Sequence, residues 1–379
     1  MLGVLAALPA VAGSSTAGTA ATRWRTLHVA GETVLVGAPS WYSRDDNPAL
    51  PLVISPHARG GSAAKNARRW GDLPGERGFI VVAPSLRGRV LDETRTWGYP
   101  PAIERLADSP RLARRALPWL RWDPNRVYAA GFSMGGQHAL LLLARHPDLL
   151  AGVSIADSVT DFVRRWYEFP LSPLTRAEQA KATRELGGTA ARVPWLYRRR
   201  SPAAFARTIA DSGVPVQLWW NPNEDVVVHQ ATTQSAAFAR QLERLGASVF
   251  PVVHAHPHGW VFRAGNSLGE LVDFLLAHRR SGPPARGFSY VSWQRRASVW
   301  GWTFRSGNVG HGFWRVEGAT PSGFRTSSPS WLVVRPRGER GVRVPPGRHL
   351  VRRGEARWTV RPERKSRHKT GADLYELHR

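Results

Sequence analysis

From residue 24 to about residue 280 the chain alternates short apolar runs with longer segments whose apolar residues recur every three or four positions. The runs at 25–29, 33–37, 50–55, 78–84, 127–130, 150–156, 214–221 and 248–253 have strand length, and Gly, Pro, Asn or Asp bound most of them. Helical periodicity fills 63–72, 103–121, 134–145, 230–245 and 268–278. Strand and helix in alternation predict βαβ units and a mostly parallel, doubly wound sheet. Residues 157–212 interrupt the alternation with helical pieces at 177–186 and 202–210 and with Trp166, Tyr167, Trp195 and Tyr197. An insertion at that point of such a sheet is expected to lie over its C-terminal edge as a helical cap. After Ser281-Gly282-Pro283-Pro284 the texture changes: 288–361 carries short strands at 290–293, 299–304, 312–316, 331–335 and 358–361, separated by Gly, Pro and Ser. The expected division is therefore an α/β domain over 23–281, a small all-β, sandwich-like domain over 285–363, and a basic tail over 364–379.

The first 22 residues are small and apolar, and Ala10-Val11-Ala12 resembles a signal-peptidase site. No basic residue precedes the apolar run, so the reading is a truncated secretory signal and an exported protein. That run is too short to span a bilayer. The chain has no cysteine, which excludes disulfides and cysteine-ligated zinc. Its formal charge is +25, and residues 282–379 hold 20 Lys and Arg against 6 Asp and Glu. The C-terminal domain thus becomes a possible contact for an anionic cell-surface polymer, although no nucleic-acid motif accompanies the charge. Trp293, Trp300, Trp302, Trp314, Trp331 and Trp358 fit a packed core better than a sugar-stacking surface.

The chemistry centres on Gly131-Phe132-Ser133-Met134-Gly135, set between a strand and a helix. G-x-S-x-G in that context is a nucleophile elbow, in which a strained turn lifts the serine hydroxyl above the sheet. A serine hydroxyl needs a base, and the base needs an orienting acid. In the order Ser, acid, His, the acid is expected as Asp225 after the 214–221 strand, with Glu224 and Asp157 as alternatives. The base is expected as His258, because the glycine after it lets its loop turn back, with His256 as the alternative. Three imidazoles in His254-Ala255-His256-Pro257-His258 also fit a metal, but Pro257 disturbs that geometry; no metal and no cofactor is expected. The oxyanion donors are expected at the N–H groups of Met134 and of Arg59 or Ala58. Phe132, Trp166 and Tyr167 are candidates for the substrate pocket.

Several segments resemble the catalytic domain of the prolyl oligopeptidase family, within the α/β-hydrolase superfamily. They are DPNRVYAAGFSMGG, GFIVVAPSLRGR, DSVTDFVRRW, VPVQLWWNPNEDVVV and the histidine followed by glycine. The resemblance covers about residues 50–280 and implies an α/β-hydrolase fold and a serine triad acting on a peptide or an ester. Polyester depolymerases and carbohydrate esterases share the same patterns. Fewer than about fifty residues precede the core, too few for the family's N-terminal propeller, and Arg59 stands where those peptidases use a tyrosine. The expectation is a serine peptidase of this type, or else a carboxylesterase. A different class, a non-catalytic binding protein on a degenerate hydrolase fold, is disfavoured by the complete triad order.

Overall fold

The computed structural model describes residues 21–43, 47–86, 97–280, 282–355 and 357–363. Most of the signal-like segment, Arg87 to Arg89 of the GFIVVAPSLRGR stretch, and the basic tail lie outside the described residues.

The chain begins with β1 (Thr22–Val29), β2 (Glu32–Pro39) and β3 (Leu50–Ile54), followed by α1 (Ala63–Trp70), α2 (Leu73–Arg77), β4 (Ile80–Pro84) and α3 (Pro100–Ala116). Next come β5 (Trp122–Phe132), α4 (Met134–Arg145) and β6 (Gly152–Ala156). The insertion supplies α5 (Phe162–Glu168), α6 (Arg176–Leu186), α7 (Pro194–Arg198) and α8 (Ala206–Asp211). The domain closes with β7 (Val216–Trp220), α9 (Ser235–Arg244), β8 (Val249–Val253) and α10 (Leu268–Leu276).

These strands form one eight-stranded sheet in the order β1-β2-β4-β3-β5-β6-β7-β8. β1, β2 and β4 pair antiparallel, and every later pairing is parallel. Every residue of β3, β4, β6 and β7 is buried. Parallel strands covered on both faces must be apolar on both sides, which is why they read as continuous runs. Alternate residues divide between two cores. Ile54, Val82 and Ala129 pack with α3, α4, α8 and α9, whereas Val53, Val81 and Ala130 pack with α1 and α10.

Among the described residues the C-terminal region holds nine strands where periodicity indicated five. They are β9 (Phe288–Ser292), β10 (Arg296–Val299), β11 (Trp302–Ser306), β12 (Trp314–Thr320), β13 (Gly323–Ser328), β14 (Leu332–Arg335), β15 (Val342–Val344), β16 (Gly347–Arg353) and β17 (Trp358–Pro362). They form a four-stranded and a five-stranded antiparallel sheet. The run at 299–304 is a hairpin rather than one strand. Trp300 and Gly301 both take positive φ, 53° and 79°, as a two-residue primed turn requires. Trp300, Trp302 and Trp314 lie in the sandwich core, which places them away from any sugar-stacking role.

The sandwich is docked on the α/β domain through β9. Val291 N–H donates to Thr208 Oγ1, and the buried Tyr290 hydroxyl donates to the Arg145 carbonyl at 3.0 Å. Trp300 N–H reaches Asp148, and Trp195 of α7 stacks on His311 at 3.4 Å between ring centroids. Replacing Tyr290 by Phe strands a buried carbonyl, a change worth about 1–3 kcal/mol. Tyr290→Phe is expected to lower the midpoint of chemical denaturation without splitting the transition, as followed by tryptophan fluorescence and circular dichroism.

Candidate active site

Ser133 sits between the end of β5 and the first residue of α4 with φ 57° and ψ −131°, a conformation costly for a residue with a Cβ. Close approach on both sides enforces it. A Cβ on Gly131 would lie 2.6 Å from the Gly135 carbonyl carbon, and one on Gly135 would lie 2.5 Å from the Pro56 carbonyl oxygen. The two glycines therefore let the turn fold on itself and let the β3 loop press against α4. Ser133 N–H donates to the Ala156 carbonyl, which fixes the turn to β6.

The β3 loop runs from Pro56 to Gly61 beside the serine. His57 is buried and pins it, accepting the Leu86 N–H at Nε2 and donating from Nδ1 to the Ala58 carbonyl. Burial holds this imidazole below its ordinary pKa and so neutral, as the donor–acceptor pattern requires. Ala58, Arg59 and Gly60 line the cavity above Ser133, and Met134 begins α4 behind it. The predicted oxyanion residues are thus brought to one place. The Arg59 side chain neither points to solvent nor lies unpaired. It bonds Glu178 of α6 and lies over the Trp97 ring, tying the oxyanion loop to the cap. Burial favours the protonated form of Glu178, but Arg59 and Lys181 outweigh it and hold the carboxyl below its ordinary value.

His258 lies beyond β8. Gly259 has φ +66°, and a Cβ there would collide with the Phe132 ring. The glycine that marked His258 as the base is needed for this return. His258 Nδ1 lies 3.2 Å from Glu224 Oε1. No hydrogen bond is directed along that contact, and alignment of this kind tightens when substrate binds.

The carboxylate that faces His258 is that of Glu224, the alternative, and not that of Asp225. In the turn after β7, Asn223 N–H donates to Asn221 Oδ1 and Glu224 N–H donates to the Asn221 carbonyl. The tight turn swings residue 224 inward and leaves Asp225 exposed. The Glu224 side chain is fully buried, which by itself favours the neutral acid. His258 and the N–H groups of Val226 and Val227 reverse that preference, so the carboxyl stays below its ordinary value and ionised.

Asp157 is not the His258 imidazole's direct partner either, but it is fully buried beside Glu224 and His258. Its Oδ1 accepts Asn221 N–H and its Oδ2 accepts Gly259 N–H. It therefore joins the acid turn to the histidine turn, and Asn221 Nδ2 adds a bond to the His256 carbonyl. The three imidazoles diverge. His254 Nε2 lies 3.2 Å from Asp157, His256 stacks on Trp260, and His258 meets Glu224. That divergence leaves no three-histidine metal site, although single ligand atoms of Asp157, Glu224 and His258 lie within 4.8 Å of one another.

Ser133, His258, Phe132, Ala58 and Arg59 share one cavity of about 390 Å³, which Trp97, Arg165, Leu174, Thr175 and Glu178 also line. Of these, Arg165, Leu174, Thr175 and Glu178 come from the insertion. Trp166 and Tyr167 do not line the cavity. Trp166 packs among the cap aromatics and donates to Thr183, and Tyr167 faces solvent. Successive helical residues point about 100° apart, so Arg165 takes the inward face that its two neighbours miss. Arg69, Arg165 and Glu178 were not singled out in the sequence because an arginine or glutamate on a surface-like helix gives no sign of facing inward.

No family model matches the chain. NocK of Nocardia uniformis subsp. tsuyamanensis, named for an esterase assignment, is 35% identical over 147 residues, 36% of this chain and 41% of that protein. The chain thus spans about two fifths of that relative. Among solved structures, a fungal esterase from Rhizomucor miehei aligns over 68% of this chain and 82% of its own at 14% identity and TM-score 0.53. A ferulic acid esterase aligns over 68% and 97% at 15% identity and TM-score 0.51. The Pyrococcus horikoshii acylaminoacyl peptidase aligns over 67% of this chain and 40% of its own at 14% identity and TM-score 0.51. The chain has the α/β-hydrolase fold, with a separate antiparallel β region at its C-terminus.

If Glu224 orients the base, Glu224→Gln should lower kcat/KM on an aryl ester roughly 10²- to 10⁴-fold, whereas Asp225→Asn should stay within about threefold. Steady-state kinetics of the two variants side by side separates the carboxylates.

Proposed function

We propose that this protein is a serine hydrolase that cleaves a carboxylic ester through an acyl-enzyme. The observation that carries the reading is the shared cavity: Ser133 on its strained turn and His258, backed by Glu224, face the same volume. His258 takes the Ser133 proton at Nε2 as the hydroxyl attacks the ester carbonyl, and Glu224 stabilises the imidazolium through Nδ1. The developing oxyanion is met by the N–H of Met134, at the start of α4, and by the N–H groups of the 58–60 loop. The proton then passes from His258 to the departing alcohol, and water repeats the sequence to release the acid.

An ester is preferred to a peptide on two grounds. The relative with 35% identity carries an esterase assignment, and the esterases of like fold are aligned over most of their own length. The peptidase of like fold is aligned over 40% of its length only. Peptide cleavage is the second reading and follows from the sequence resemblance above.

Turnover of p-nitrophenyl acetate and butyrate and of a chromogenic peptide tests both readings. Wild-type protein is expected to hydrolyse the esters well above the uncatalysed rate and the peptide far more slowly, with Ser133→Ala losing at least about 10³-fold on the esters. Ester hydrolysis that survives in Ser133→Ala contradicts the assignment of the nucleophile.

A further inference from the structure

The cavity above Ser133 has an unbalanced charge. Three of its lining residues are arginines, Arg59, Arg69 and Arg165, and one, Glu178, is an acid. Glu178 is already taken by Arg59 and by Lys181. Among the described residues, Arg69 and Arg165 have no carboxylate within 4 Å.

Arg165 is the more unusual of the two. Its side chain is fully buried, Nη2 donates to the Val226 carbonyl, and the guanidinium lies 4.5 Å from the centroid of the Phe169 ring. Nε and Nη1 have no hydrogen-bond partner. The acids in its neighbourhood face other groups: Glu168 bonds Thr233 and Gln234, Glu178 pairs with Arg59, and Glu224 Oε1 lies 3.2 Å from His258 Nδ1, while its buried Oε2 has no hydrogen-bond partner. Leaving a guanidinium dry with two unused donors is costly unless something meets it. Burial also pulls its pKa down to about 10, which still leaves it charged at neutral pH. Arg69 stands on the histidine side of the cavity. It donates through Nη1 to the Gly259 and Phe262 carbonyls and lies over the Phe132 ring at 4.2 Å.

We infer that the cavity is built for a substrate carrying a carboxylate, which Arg165 and Arg69 hold while the ester carbonyl is presented to Ser133. An arginine closed off from bulk water has lost its hydration, so a carboxylate entering the cavity is attracted with little screening. The planar guanidinium suits the two carboxylate oxygens. The inference rests on the serine-hydrolase reading above and adds the chemical class of the substrate. The competing role for Arg165, a counter-charge to Glu224 alone, makes a different kinetic prediction.

The test compares esters that differ only in a free or methylated carboxylate, at low ionic strength and pH 7.5. One pair is mono-p-nitrophenyl glutarate and its methyl ester, with the carboxylate on the acyl side. The other is 3-acetoxyphenylacetate and its methyl ester, with the carboxylate on the alcohol side. Wild-type protein should prefer the free carboxylate in one pair by about tenfold or more in kcat/KM. Arg165→Met or Arg69→Met should bring that ratio towards one, and Arg165→Lys should keep part of it. A ratio lowered in either Met variant supports the inference and names the contacting residue. No preference in either pair overturns it, as does a preference that both Met variants retain. A counter-charge role would slow the free and the methylated ester alike and leave the ratio intact. Should the Met variants fail to fold, wild-type protein still decides: glutarate, and not dimethyl glutarate, should protect the serine from a fluorophosphonate. Equal protection by both, or by neither, counts against the inference. Failure of the fluorophosphonate to label wild-type protein at all would defeat the hydrolase reading instead, and calorimetric titration with glutarate would then read the carboxylate site separately.

Discussion

The site depends on one close approach, the contact of α4 with the loop after β3 at Gly135. With the Pro56 carbonyl oxygen 2.5 Å from where a Cβ would stand, only glycine lets the two chain segments meet. That contact places the start of α4 against the loop after β3, which runs on into the 58–60 segment beside Ser133. It also holds Ser133 at positive φ, because the turn has no room to relax while Gly131 and Gly135 touch. Strain at the serine is maintained by packing that extends through the fully buried α4 into the core.

A second constraint acts behind the serine. Asp157, buried at the end of β6, accepts one N–H from the acid turn and one from the histidine turn. Glu224 and His258 come from loops after different strands, and β7 and β8 alone do not fix their separation. A shared buried side chain does, since its two oxygens accept one N–H from each turn. The elbow sets Ser133, and Asp157 ties the turns that carry Glu224 and His258 to each other.

How much of this was legible in the sequence follows the range of the interactions. The central strands were visible because burial on both faces demands continuous apolar runs, and the elbow because backbone strain demands glycine at fixed spacing. His258 was recognisable for the same reason: Gly259 permits a turn that no residue with a Cβ could make against Phe132. Glu224 and Asp225 were not distinguishable, because their choice is made by a turn at Asn221 whose hydrogen bonds shift the inward position by one residue. The inward face of α5 was misread, since aromatic residues suggested a pocket that Arg165 in fact lines. In the C-terminal domain β13, β15 and β16 carry too few apolar positions for alternation to reveal them, and the Trp300-Gly301 turn lay hidden inside an apolar run.

The charge of +25 also changes meaning in three dimensions. Part of it lies inside the molecule. The buried Arg145 guanidinium pairs with Glu104 and lies over the Trp293 ring of the C-terminal domain, Arg59 pairs with Glu178 of the insertion, and Arg165 and Arg69 face the cavity. A basic composition thus serves docking, cap attachment and the polarity of the site, independently of any outer surface.

The central claim is that Ser133 is the acyl acceptor. Reaction with a fluorophosphonate followed by intact-mass measurement and peptide mapping tests it directly. The account predicts one adduct per chain, on the peptide containing Ser133, formed in step with the loss of ester hydrolysis. Hydrolysis lost with the adduct on another residue, or an equal adduct on Ser133→Ala protein, would contradict it.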